Sequence, residues 1–173
     1  MSLLQDHLCP DQFVEKLEDI DLDALWDRGF RAILLDLDNT IAAWKSHDVP
    51  DAKAEWIKRA TERFHVCIVS NTVHGGRARA IAARFGIGCV AKWLVGRKPS
   101  PRGIHEATRQ AGFTTEQTVM IGDQVMTDVW AGRRAGVHTI LVEPVSSREF
   151  PLTKVTRVFE RCALWEMRRR KMI

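Results

Sequence analysis

The 173-residue sequence predicts an α/β fold in which one parallel sheet of five strands is covered by helices on both faces. Three observations carry that expectation. Short apolar runs rich in Val, Ile and Leu alternate five times with longer stretches of 3.6-residue periodicity. Glycines punctuate the ends of the periodic stretches. Each apolar run ends in a polar cluster, as strands buried on both faces do where they leave a sheet. The expected architecture is a Rossmann-like three-layer sandwich.

Pro10 followed by Phe13, Val14 and Leu17 at helical spacing predicts a short amphipathic helix near the start. Asp21 opens a second, with Leu22, Leu25 and Trp26 on one face and Gly29 as its stop. The first strand is 31–35. Asp48-Val49-Pro50-Asp51 starts a helix that runs through Trp56 and Ile57. Strand two, 64–69, ends in Ser70-Asn71-Thr72, and a helix from Gly76 then carries Ala78, Ile81, Ala82 and Phe85 before Gly86 stops it. Strand three, 87–91, leads to the loop Gly96-Arg97-Lys98-Pro99-Ser100-Pro101. Its last two residues begin a helix through Ile104, Ala107 and Ala111. Strand four, 118–121, opens into Gly122-Asp123-Gln124-Val125-Met126-Thr127-Asp128. A last helix reaches Ala135, Gly136 ends it, and strand five is 137–142.

The length suits one domain with a substantial core, and 45% apolar with 28% charged residues is the balance of a globular protein. No apolar run approaches the roughly 20 residues that cross a bilayer. The opening residues carry neither a basic leader nor a long apolar block, so a cytoplasmic location is expected. Cys9, Cys67, Cys89 and Cys162 form no C-x-x-C pair and read as reduced thiols in or near the core. The histidines lack zinc-site spacing; His74, just after Ser70-Asn71-Thr72, is the one to watch. Charge is uneven. From Lys154 to the end there are seven cations against two acids, so this tail carries +5 of a net +4 and the rest is −1.

The chemistry gathers at the end of the first strand, where Asp36 and Asp38 stand one residue apart before Asn39 and Thr40. In extended chain they project to one side. Two carboxylates a few ångströms apart repel by roughly 4 kcal/mol at an effective dielectric near 20. A hard divalent cation such as magnesium, which takes oxygen ligands, would compensate them; the plainer reading is a strand-to-loop turn with both acids in water.

The order Asp36-Leu37-Asp38-Asn39-Thr40, then Ser70-Asn71-Thr72, then Lys98-Pro99, then Gly122-Asp123 with Asp128 resembles the haloacid dehalogenase (HAD) superfamily of phosphatases. More narrowly, it resembles the YqeG family of HAD subfamily IIIA, related to mitochondrial phosphatidylglycerophosphate phosphatases. Cys9-Pro10-Asp11-Gln12-Phe13-Val14, Trp44, Arg97-Lys98-Pro99 and His138-Thr139-Ile140-Leu141-Val142-Glu143-Pro144-Val145 extend the likeness over most of the chain. The resemblance implies a magnesium-dependent phosphomonoester hydrolase with Asp36 as nucleophile and Asp38 as general acid and base. It implies Ser70 and the Asn71 amide on the phosphoryl oxygens and Lys98 neutralising their charge, with Lys92 or Arg97 as rival cations. Mg2+ would be held by Asp36, the main-chain carbonyl of Asp38, and Asp123. Asp128 would support the metal from behind, order the Lys98 loop, or merely begin a helix. Thr40 and Trp44 are candidate substrate contacts, Trp44 alternatively covering the core edge.

Many relatives of this superfamily carry a cap domain. Here 32 positions separate Asp38 from Ser70 and 27 separate Asn71 from Lys98, room for one ordinary strand-helix-strand connection each. The expected organisation is therefore capless: N-terminal helices in 1–29, a catalytic core in 30–145, and a basic amphipathic helix in 154–171. In that last stretch Val155, Val158, Phe159, Cys162 and Trp165 recur at helical spacing before Arg168-Arg169-Arg170-Lys171. Such a helix packs on its own domain or rests on an anionic membrane at the inner face. The open face and the resemblance suggest phosphatidylglycerophosphate as substrate. The alternatives are a soluble small-metabolite phosphatase closed by dimerisation, and a non-enzymatic basic binding module; a nucleic acid partner is not favoured.

Overall fold

The computed structural model describes residues 7–72, 75–92 and 95–146. His74 and the expected helix over 154–171 lie outside them.

Six strands form one parallel sheet: β1 (Gln12–Val14), β2 (Ala32–Leu35), β3 (His65–Asn71), β4 (Gly88–Lys92), β5 (Thr118–Gly122) and β6 (His138–Val142). The order across it is β1-β6-β5-β2-β3-β4. Helices α1 (Leu22–Asp27), α2 (Asp51–Thr61), α3 (Gly76–Phe85), α4 (Arg102–Ala111) and α5 (Trp130–Ala135) connect the strands. The period of two within β2 sorts them into layers. Ile33 and Leu35 pack with Trp56 and Ile57 of α2 and with Ala78, Ile81 and Ala82 of α3, whereas Leu34 packs on the opposite face with Ile104 and Ala107 of α4 and Ala131 and Ala135 of α5. All four β2 side chains are buried, as a central strand between two helical layers requires.

The sixth strand corrects the sequence reading. Residues 12–14 form no helix; Gln12, Phe13 and Val14 pair in parallel with Ile140, Leu141 and Val142, and a 3₁₀ turn follows at Leu17–Asp19. Three residues are too few to show a period of two, so Phe13, Val14 and Leu17 matched a helix by spacing alone. A tertiary contact decides the outcome. The carboxylate of Asp11 accepts from the main-chain N–H and the hydroxyl of Thr139, both at 2.8 Å, and from Arg133, which staples β1 to the edge of β6.

From β2 the chain moves outward to β3 and β4, then returns to the other side of β2 for β5 and β6. The carboxyl end of β2 is therefore the point where the winding reverses, and in open parallel sheets that is where ligands bind. Between Asp38 and Ser70 the described chain holds α2 and most of β3; between Asn71 and Lys98 it holds α3 and β4. Among the described residues neither connection contains a cap domain.

Candidate active site

Asp36 follows β2 directly and stays in register with its neighbour, its N–H donating to the carbonyl of Ile121 at 2.9 Å. The loop then turns sharply at Asn39, whose φ of 65° lies in the left-handed region that asparagine tolerates. Its N–H donates to Ala42, and its carbonyl and side chain accept from Val145 and Ser146. The turn buries Asp36 and leaves Asp38 at the rim, with a quarter of its side chain exposed.

The two carboxylates do not share one cation. Lys98, itself 2% exposed, donates to Asp36 Oδ1 at 2.6 Å and to the Val69 carbonyl at 2.6 Å, and its Nζ lies 2.8 Å from Asp128 Oδ1. Asp38 is instead met by Arg77 of α3, which donates from Nη2 to Asp38 Oδ1 and from Nη1 to the Ser46 carbonyl at 2.8 Å. Lys92 pairs with Glu106 at 2.8 Å. The positive charge implied between Asp36 and Asp38 is thus supplied in part by two side chains of the protein.

Lys98 is held by its backbone. The Asn71 side chain donates to the Lys98 carbonyl at 2.8 Å and accepts from the Lys98 N–H at 2.7 Å, so the last residue of β3 fixes the loop after β4. Ser70, 2% exposed, precedes Asn71 in the same strand. On the other side, Asp123 follows β5, and the Thr40 hydroxyl donates to Asp123 Oδ1 at 3.5 Å. Asp128 returns to the site through a π-helical turn, Val125–Val129, a form concentrated at functional sites. Its Oδ2 accepts from the Gln124 N–H at 3.1 Å, so it both closes that turn and meets Lys98. Trp44 lies half-buried beyond Asp38, with the Lys45 ammonium 4.5 Å from its ring centre.

Asp36, Asp123 and Asp128 form an acidic cluster: one oxygen from each lies within 4.8 Å of the others, and all three residues are buried. Burial pushes the Asp36 carboxyl up to about 7, Lys98 pulling against it and Asp128 with it. For Lys98, burial works against the charge, but Asp128 and Asp36 more than offset it and leave the ammonium firmly charged. Three clustered carboxylates, two of them paired with Lys98 and all of them oxygen donors, suit a small divalent cation.

The geometry agrees with what the chain is similar to. A family model described as HAD-hydrolase-like matches residues 95–152. A protein named "Probable phosphatase YqeG", from Bacillus subtilis, is 34% identical over 97% of this chain and 96% of its own length. The chain belongs to the YqeG family of HAD-type phosphatases. The YqeG likeness extends at 30% identity, over 82% of this chain, to phosphatidylglycerophosphate phosphatase 1 of Arabidopsis thaliana, of which the chain spans 42%. In fold it matches a haloacid dehalogenase-like hydrolase of Streptococcus pneumoniae with a TM-score of 0.53 at 12% identity, over 65% of this chain and 84% of the other.

Sequence reasoning missed Arg77. A cation in the first turn of a helix opposes the helix dipole, but the sequence does not show which anion compensates it. The Asp38 carboxylate is that anion.

Proposed function

We propose that this phosphatase is a magnesium-dependent phosphomonoester hydrolase that works through an aspartyl phosphate on Asp36, and that its substrate is phosphatidylglycerophosphate. The observation that carries the chemistry is the buried Asp36 carboxylate 2.6 Å from Lys98 Nζ, beside Asp123 and Asp128.

Asp36 attacks phosphorus, the bond to the ester oxygen breaks, and the leaving alkoxide takes a proton from Asp38. Asp38 then removes a proton from water, which attacks the acyl phosphate, releases inorganic phosphate and restores Asp36. Lys98 pulls Asp36 toward its ionised form and faces the phosphoryl charge, while Ser70 and the Asn71 main-chain amide donate to the phosphoryl oxygens. Asp36, the Asp38 carbonyl and Asp123 would hold Mg2+, with Asp128 behind them and Thr40 orienting Asp123. When bound, the ion neutralises charge on the phosphoryl oxygens and orients them for in-line attack. Thr40 and Trp44 are proposed substrate contacts, Thr40 through Asp123 and Trp44 as a lip beside Asp38. The lipid assignment draws on the activity in the Arabidopsis relative's name and on the capless face, which admits a phosphate carried on a large group.

The test is phosphate release from phosphatidylglycerophosphate in mixed micelles, with magnesium or chelator, beside p-nitrophenyl phosphate and soluble phosphomonoesters. Magnesium-dependent turnover favouring the lipid is expected, with Asp36→Asn reducing it by at least about 10⁴-fold, the scale of losing a covalent nucleophile. Turnover confined to soluble esters would remove the lipid assignment; a fully active Asp36→Asn would remove the covalent mechanism.

A further inference from the structure

We infer that Arg77 binds a second anionic group, carried on the alcohol that leaves, so that the preferred substrate is a phosphomonoester whose leaving group bears a phosphodiester or carboxylate. The inference rests on the proposed placement of the leaving oxygen at Asp38 and goes beyond it by assigning what recognises the leaving group.

Position comes first. Lys98 and Asp36 are buried, with 2% and 9% of their side chains exposed, and mark where the scissile phosphate is handled. Arg77 and Asp38, with 15% and 25% of their side chains exposed, are the more solvent-accessible pair. A group attached to the leaving oxygen leaves the site past this pair, with Lys45 and Trp44 on the same loop.

Donor supply is the second point. A guanidinium carries five N–H groups in a rigid fork that matches the paired oxygens of a carboxylate or phosphate. Among the described residues Arg77 uses one from each Nη, on Asp38 Oδ1 and on the Ser46 carbonyl. The Ser46 contact pins the fork in place from the loop that carries Lys45, whose own N–H also reaches Asp38 Oδ1 at 3.4 Å. With the guanidinium anchored on the Ser46 carbonyl, an arriving anion can share or replace the Asp38 contact while Lys98 and Asp36 stay paired behind it.

A cation serving the scissile phosphate would sit where Lys98 does.

The test measures binding in the Asp36→Asn protein with magnesium, by calorimetry, so that the result does not depend on turnover. Three ligands share a glycerol-type phosphomonoester: glycerol 3-phosphate has no second anion, 3-phosphoglycerate adds a carboxylate, and glycerophosphoglycerol phosphate adds a phosphodiester. One or both doubly anionic ligands should bind at least about tenfold tighter than glycerol 3-phosphate, the scale of one charge-assisted hydrogen bond to an ionised group. The arm that shows the preference identifies the anion. Adding Arg77→Met should collapse the ratio to below about twofold, and Arg77→Lys should retain part of it. A ratio near one in the Arg77 protein overturns the inference, as does equal weakening of all three ligands by Arg77→Met, the mark of a structural clamp. Failure of phosphate release with the binding preference intact would remove the catalytic reading and leave the Arg77 assignment standing.

Discussion

At the scale of single residues the site is a problem in compensating charge. Asp36 and Asp128 share one buried ammonium, and the Asp36 carboxyl is displaced upward to about 7 from an ordinary 3.8, first by burial. The folded protein therefore keeps a proton that the unfolded chain releases between those values. A carboxyl raised on folding favours the folded state at low pH, and that contribution is lost as pH rises through about 7. In metal-free protein Asp36→Asn should accordingly melt higher than the unsubstituted chain at pH 8, by roughly 3 °C per kcal/mol relieved, and no higher at pH 4. Melting curves at the two pH values, in chelator, check this; a lower melting point at pH 8 would mean that the Lys98 contact outweighs burial. Asp36, Asp38 and Asp123 stood out as candidates because each follows an apolar run, where a carboxylate has no packing role. Arg77 was not, because its partner is 39 positions away and only the fold brings the first turn of α3 beside the β2 loop.

At the scale of elements, strands and helices were legible wherever an apolar period ran long enough to be read. The turns that shape the site were not. No sequence period announces the π turn at Val125–Val129, yet it is what returns Asp128 to Lys98. Gly122, the last residue of β5, makes room for that return: a Cβ there would lie 2.2 Å from Asp128 Oδ2 and 2.3 Å from its Cγ. Gly122→Ala must therefore push the carboxylate out of place. We expect a loss of about 1–3 kcal/mol in urea unfolding, as overpacking produces, together with an activity loss larger than the unfolded fraction explains. Normal stability with normal phosphate release would show that the π turn can shift freely and that Asp128 is not needed where it stands. The Asn71 side chain plays the corresponding part for β3. It was read from the sequence as a phosphate contact through its amide, and its side chain proves to fasten both backbone groups of Lys98.

At the scale of the whole molecule, the sheet's winding brings the acidic cluster, Lys98 and Asn71 to one end, whereas Asp11, Arg133 and Thr139 lock the edge strand at the far end of the sheet order. Charge is distributed as unevenly. The stretch from Lys154 onward carries +5, and the remaining chain, which holds the acidic cluster, carries −1. For the proposed lipid substrate, cations placed away from the acidic centre would attract an anionic surface without competing for the proposed Mg2+. Each cation close to an anionic membrane contributes about 1 kcal/mol. Replacing Arg168, Arg169, Arg170 and Lys171 with glutamine should therefore weaken binding to phosphatidylglycerol-containing vesicles by at least about tenfold at low salt. Binding to phosphatidylcholine vesicles and turnover of p-nitrophenyl phosphate should be unaltered. Co-sedimentation at two salt concentrations separates the outcomes: binding that falls with salt in the native chain and is already lost in the variant assigns the tail to the membrane. Binding that survives the substitutions would move lipid recognition to the catalytic face, where Arg77 pairs with Asp38 and the Lys45 ammonium lies over Trp44.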